Sequence, residues 1–484
     1  MLKNNLIILL QSFSKKEMTR FSEFSHSPYH NKHKDVQALV GYLQQIFPEF
    51  TAKKCHRAKI YKVLFPKQKH DQATLALLFT YAFRLAKTFL VVEQQQLDSV
   101  QKDIHLLQAL RQKDQANLYE KTIKQAQTAI TTPIFRGSPF YWQQYTLAKE
   151  RDLYFEPRSR KVAHTVIQEK QYFLDYFYLT EKLKDACELQ VRSQILSVPF
   201  DVQFMDNILS SLKNDWQRYQ NIPPIAVYYH LYRMLTEEDT AQYYQILPII
   251  EQNSRFFPQK ELKDIYTYIQ NYCIKQINRS KEVFMEELLK IYKIQLAQHL
   301  LHDEKNQLSE WHYKNIVTLG LRLKERDWVN QFIQQYHTAL PLENRENAYR
   351  FNRAAYAYHI GDYDTVLTLL LQVEYTNIQY SLGARWLLLR TYYELAESIA
   401  FFSLCDSFRL YLQRNQLIAT FKKEGHEQAI RLVKKVFQLK LEVPYQKKDK
   451  TKKEKTKLQA EIIATNTVFN RSWIERKLNE ILLE

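Results

Sequence analysis

The chain has 484 residues, of which 45% are hydrophobic and 25% charged, and its formal net charge is +17. Only six residues are glycine, where an average soluble chain of this length would carry roughly 34, and the two closest are 22 residues apart. That spacing excludes every Gly-rich phosphate cradle, since each needs two or three glycines within about eight residues, and it argues against a hairpin-rich β fold, whose tight turns use Gly at positive φ.

From the N-terminus, the apolar run 6–10 is too short for a signal-peptide core and no small-residue cleavage site follows, so a cytoplasmic protein is expected. Ser14-Lys15-Lys16-Glu17 has the form of a capping box. Residues 1–70 hold 13 Lys/Arg and 4 acids, a net of +9. His26, His30 and His33 stand close enough in sequence to suggest a metal trio. Pro28 interrupts their helical spacing, however, and Lys32 and Lys34 repel a cation. Surface histidines and no metal are expected. A helix over about 34–47, a turn at 48–50, and a helix capped by Thr51 and running to Leu64 outline a helix-turn-helix. Ile60, Tyr61, Val63 and Leu64 fall on its inner side. Lys53, Lys54, Arg57 and Lys62 fall outward, with His56 nearby. These four cations are the candidate nucleic-acid contacts, and a solvated Lys-rich face is the plainer alternative.

Residues 72–112 lack Gly and Pro and predict one or two long helices, with Leu75, Leu78, Phe79, Ala82 and Phe83 on one face. The uncharged part, 72–83, is too short to span a bilayer, and no membrane contact is expected. The stretch 131–139, with two prolines and Gly137, is the clearest break. It separates a basic N-terminal helical domain, 1–130, from successive helices over 141–440, punctuated by prolines such as Pro199, Pro223 and Pro258. Tyr172, Phe173, Tyr176 and Phe177, extended by Leu183, Ala186 and Cys187, fit helix–helix core packing better than a base-stacking platform. Glu237-Glu238-Asp239 reads as a helix N-terminus. Neither Glu286-Glu287 nor the pair His299 and His302 carries a catalytic or ligand pattern. Cys55, Cys187, Cys273 and Cys405 form no CxxC pair and read as free thiols. No motif fixes a nucleophile, so neither an enzyme nor a cofactor is expected.

A 35-residue step appears near the C-terminal end. Ile316, Leu319, Gly320 and Leu323 are followed by Phe351, Ala354, Ala355 and Tyr358, and then by Trp386, Leu389, Arg390 and Tyr393. Each set has the spacing of a buried helical stripe, broken at Arg390. In the same frame Asp327-Trp328 matches Asp362-Tyr363, and Phe332 matches Leu367 and Phe402. With Gly361-Asp362-Tyr363 as the turn, this stretch resembles the tetratricopeptide-repeat (TPR) class, best over about 310–415. It departs from the family pattern in a shorter Tyr358–Gly361 spacing, in Val366 and Val373 at small-residue positions, and in the lack of a closing proline. The resemblance implies stacked helix pairs with a groove that binds a protein or peptide.

Residues 444–457 hold 7 Lys and 2 acids and read as a flexible Lys-rich linker. Beyond it, Trp473, Ile474, Leu478, Ile481 and Leu482 predict a capping helix within 458–484. The sequence thus predicts an all-α chain: an N-terminal helical region followed by an α-solenoid of TPR-like pairs. The expected function is that of an interaction scaffold, with Asn315, Arg322, Arg350 and Arg353 as candidate groove residues. The alternative is a nucleic-acid-associated protein using residues 1–70. The oligomeric state is left open.

Overall fold

The computed structural model describes residues 3–67, 71–196, 198, 200–237, 239–372 and 378–481. Among these the backbone forms 24 α-helices and no β-strand, so the chain is all-α. Pro199, Glu238, Val373 and Leu482 lie outside the described residues. The chain divides into two compact units, Met1–Phe257 and Pro258–Glu484. That boundary falls inside the segment 141–440 that the sequence reads as one array. The break at 131–139 is instead a connection within the first unit, where the Arg136 N–H donates to the Phe256 carbonyl at 2.9 Å.

In the first unit, α1 (Asn5–Gln11), α2 (Lys15–His26), α3 (Lys34–Ile46), α4 (Arg57–Leu64) and α5 (Gln72–Leu97) share one core. The capping box forms as expected: the Glu17 N–H donates to Ser14 Oγ at 3.2 Å and the Ser14 N–H to Glu17 Oε2 at 2.7 Å. α5 continues through Arg84, where the apolar run of the sequence ends. Its 26 residues make it long and apolar enough, by length and composition, to cross a membrane. Here Leu75, Leu78, Phe79, Ala82, Leu85, Ala86 and Phe89 are buried in the unit's core. α6 (Ser99–Gln112), α7 (Ala116–Thr131) and α8 (Ser138–Phe155) build a second core. The 37-residue α9 (Arg160–Leu196) packs on α8. After it come α10 (Met205–Asn214), α11 (Trp216–Tyr219), α12 (Pro223–Thr236), which also packs on α9, and α13 (Ala241–Asn253).

The second unit is a succession of helix pairs. α14 (Gln259–Asn278) pairs with α15 (Val283–Ala297), and α16 (Glu310–Arg322) with α17 (Arg326–Gln335). α18 (Arg345–Ile360) pairs with α19 (Tyr363–Leu370), and α20 (Ile378–Glu394) with α21 (Ser398–Arg414). α16 packs on α18, and α18 on α20. Then come α22 (Thr420–Glu442), α23 (Lys448–Ala464) and α24 (Arg471–Glu480), which share a core with α20 and α21.

One turn recurs at the reversals. Two residues before the second helix, the backbone is left-handed at Asp114 (φ 50°), Lys324 (63°), Gly361 (85°) and Ala396 (59°). The next N–H then reaches back five residues. Gln115 donates to Leu110 O at 2.9 Å, Glu325 to Gly320 O at 2.9 Å, Asp362 to Ala357 O at 3.0 Å, and Glu397 to Tyr392 O at 3.0 Å. This is the bond that closes a Schellman cap. The spacing between these turns is 37 residues from Lys324 to Gly361 and 35 from Gly361 to Ala396; counted from them, Val317, Ala354 and Leu389 hold the same position and are buried, as do Val329, Val366 and Phe401. The uniform 35-residue frame is therefore corrected by two residues at its first step. Ala355 and Tyr358 are only half-buried.

The Lys-rich segment 444–457 is not a linker. A 3₁₀ turn, Val443–Tyr445, leads into α23, whose Thr451, Leu458 and Ile462 are buried. Leu458 and Ile462 lie just beyond the charged run, and they supply the apolar burial that the run itself lacks. Trp473, Ile474, Leu478 and Ile481 are buried as their spacing predicts.

A left-handed backbone costs an L side chain about 1–2 kcal/mol, part of which glycine's extra chain entropy offsets. Lys324→Gly and Ala396→Gly should each stabilise the second unit by about 0.5–1 kcal/mol, and Gly361→Ala should destabilise it by about 1 kcal/mol. Urea midpoints that move the opposite way at all three sites would refute the shared turn.

Candidate functional site

The four candidate groove residues lie on two helices, Asn315 and Arg322 on α16 and Arg350 and Arg353 on α18. Asn315 and Arg322 lie on the exposed face of α16, in line with Trp311 and Thr318 at i, i+4, i+7 and i+11. Arg322 Nη2 is 3.9 Å from Glu282 and remains largely solvated. The two α18 arginines bind their own chain. Arg350 Nη1 donates to the Gln372 carbonyl at 3.0 Å, with Nη2 3.7 Å from Glu346. Arg353 Nη1 donates to Asn330 Oδ1 at 2.5 Å, and its guanidinium lies over the Tyr356 ring. Arg353 thus ties α18 to α17. Both guanidiniums are half-buried internal ties rather than free groove contacts.

The basic N-terminal segment is built differently from its sequence outline. α4 begins at Arg57, and residues 47–56 form an irregular connection rather than a short turn. Lys53 and Lys54 precede the helix, and the Lys54 N–H donates to Thr51 Oγ1 at 3.3 Å. Lys54 Nζ pairs with Glu49 at 2.9 Å. Arg57 and Lys62 are exposed on α4, as is Lys59, and so is Val63, which the sequence places inward. Only Ile60 and Tyr61 of α4 are fully buried.

The three early histidines separate. His26 Nδ1 lies 2.8 Å from the Ser22 carbonyl, His30 stacks on Phe24 with centroids 4.0 Å apart, and His33 faces Asp35 at 3.9 Å. Among the described residues, no group of three or more His, Cys, Asp or Glu is placed to hold a metal ion. On α9, Leu183, Ala186 and Cys187 are core. Phe173, Tyr176 and Phe177 are half-buried, and Tyr172 is exposed beneath the Arg218 guanidinium.

One cavity in the second unit joins groups that are distant in sequence. It has a volume of about 390 Å³ and lies among α16, α20, α22 and the loop 467–469. Leu382, Phe421, Val468 and Phe469 form its apolar wall, Lys314 and Lys422 contribute its charges, and His426, Gln379 and Thr467 its neutral polar groups. Lys314 Nζ sits 5.3 Å from the centroids of both Phe351 and Tyr380 and 6.0 Å from that of Trp311. It makes no ion pair among the described residues. Burial pushes its ammonium below the usual lysine range, and Glu310, one turn earlier on α16, offsets this only in part.

His426 is 96% buried, since its relative exposure is 4%. Its Nδ1 accepts from Trp386 Nε1–H at 2.9 Å, and its ring packs against Phe469 with centroids 4.2 Å apart. That bond leaves the ring proton on Nε2, which has no hydrogen-bond partner among the described residues. Burial, and then the Lys422 charge, pull the imidazole down to about 4. Sequence reasoning missed Lys314, Lys422 and His426 because Lys314 on α16 is more than 100 residues from the i, i+4 pair Lys422 and His426 on α22, and neither helix alone carries a ligand pattern. The available signal was glycine: Gly383 and Gly425 stand inside helices of a glycine-poor chain, and both line this cavity.

A neutral buried imidazole binds its proton more readily once unfolded. Stability is therefore complete above the ordinary histidine value of about 6.5 and falls as pH drops toward 4. The second unit should lose roughly 2–3 kcal/mol by pH 4.5 through His426, and His426→Gln should flatten that part of the acid slope. An NMR titration that places His426 near 6.5 in the folded protein would contradict this burial. No family model, curated protein or solved structure matches this chain.

Proposed function

We propose that this protein is a non-enzymatic interaction scaffold whose helix pairs at 310–414 act as a TPR-like α-solenoid segment holding a protein or peptide. The observation that carries this reading is the shared reversal turn of α16/α17, α18/α19 and α20/α21, combined with first helices that pack in succession. Partner binding in such arrays uses residues that the stacking leaves solvated. On α16 these are Asn315 and Arg322, beside Trp311. The reading places the protein in the cytoplasm and involves neither a membrane nor a cofactor.

A second reading, contact with nucleic acid, is favoured by the free cations. Arg57, Lys59 and Lys62 on α4 have no ion pair among the described residues, and neither do Lys448, Lys450, Lys452, Lys453 and Lys457 on α23. Phosphate backbones are bound by such solvated cations, with an affinity that falls steeply as salt rises.

Co-purification with the tagged full-length chain, with and without nuclease, separates the two. The scaffold reading expects the same captured protein in both arms, and about tenfold weaker capture by Asn315→Ala/Arg322→Ala. Capture that the double variant leaves unchanged would count against the α16 face. Capture that nuclease abolishes would favour the second reading.

A further inference from the structure

We infer that the cavity among α16, α20, α22 and the loop 467–469 is a binding site for a small apolar monocarboxylate, its anionic head meeting Lys314, Lys422 and the Nε2–H of His426 and its hydrocarbon or aryl body lying against Leu382, Val468 and Phe469. This site is independent of the partner-binding reading.

Five observations carry it. The volume of about 390 Å³ lies in the range of small-molecule sites, roughly 300–1,000 Å³. The lining is lopsided in charge: it holds two ammoniums and no carboxylate. Lys314 Nζ lies among the Trp311, Phe351 and Tyr380 rings and makes no ion pair among the described residues; Glu310, one turn earlier, offsets its burial only in part, so an anion entering the cavity adds countercharge. His426 is a fixed donor, because Trp386 holds its Nδ1 and leaves a single N–H for a ligand. Lys422 lies in the first turn of α22, where the helix dipole also favours an anion.

The two glycines show that the space is shaped by close approach. A Cβ on Gly383 would stand 2.9 Å from the Phe351 ring and 3.8 Å from Lys314 Nζ. One on Gly425 would meet Thr467 Cγ2 at 3.1 Å. The Gly425 carbonyl accepts the Phe469 N–H at 3.1 Å, which seats the loop against α22. Phe421 and Phe469 are both substantially exposed and flank the mouth.

The head group follows from the donors. Two separate ammoniums and one neutral imidazole suit a single planar carboxylate, and no guanidinium is present to clasp a phosphate. The apolar wall requires a body of about the size of a medium-chain fatty acid or an arylpropionate.

The test uses the full-length protein with octanoate and 3-phenylpropionate, each beside its neutral amide, and inorganic phosphate as a third arm. Calorimetry should show saturable binding of an acid about tenfold or more tighter than its amide, with phosphate failing to compete. The His426 ring resonances should shift on saturation. Lys422→Met, at an exposed position, should cut the acid's affinity about fivefold or more and leave the amide's unchanged, and Lys314→Met should do the same. Equal affinity for acid and amide would overturn the proposal. So would unmoved His426 resonances at about 10 mM acid, competition by phosphate, or an unaltered acid preference in Lys422→Met.

Discussion

A chain made of helices must reverse direction many times, and every reversal leaves the last carbonyls of one helix without partners. Here a single left-handed residue and a six-to-one backbone bond resolve that at α6/α7, α16/α17, α18/α19 and α20/α21. The bond is backbone to backbone, so the residue at the left-handed position can vary. It is Asp114, Lys324, Gly361 and Ala396 in turn. The turn, more than any side chain, sets the register of the second helix in each pair. Four residues after the N-cap of that helix, Val329, Val366 and Phe401 are all buried.

This division of labour decides what the sequence reveals. Helical class is legible because the exclusions rest on glycine scarcity and the apolar faces have clean 3.6-residue periods, as on α5. Gly361 is legible as a turn because its type matches its conformation. Lys324 and Ala396 carry no turn signal, and so the first step reads as 35 residues where the turns at Lys324 and Gly361 stand 37 apart. α23 is hidden for a different reason. A window drawn around its lysines stops one residue short of Leu458, and the helix depends on burial that begins there. The start of α4 is hidden too: Thr51 accepts a backbone N–H as a cap would, but in a turn that ends before the helix starts.

The cations sort into three groups by what surrounds them. Arg350, Arg353 and Arg390 serve the fold; the last reaches Asn470 and lies over the Trp473 ring, which explains why an arginine interrupts the apolar stripe of α20. The lysines of α4 and, apart from Lys455, which donates to the Asn479 carbonyl, those of α23 are solvated, and like charges one turn apart on α23 oppose the helix they sit on by a few tenths of a kcal/mol per pair. Anchoring through Thr451, Leu458 and Ile462 holds that helix despite its charge.

Lys314 belongs to neither of these groups, and its setting is the least easily explained by folding alone. Ring faces return roughly 0.5–2 kcal/mol to a partly desolvated ammonium, while removing that charge from water costs several. A leucine or methionine at this position would pack against Phe351 and Tyr380 without that deficit. Gly383 and Gly425 each give up about 1 kcal/mol of helix propensity relative to alanine, in positions where a Cβ would press on the Phe351 ring or on Thr467. Gly383 admits the Phe351 ring, and Gly425 admits the loop that carries Phe469. A desolvated ammonium and two helical glycines, on three helices, thus meet at one cavity whose lining contains no acid. Departures of this kind concentrate where a structure holds something other than itself, and a lining with two ammoniums and no carboxylate favours an anion there.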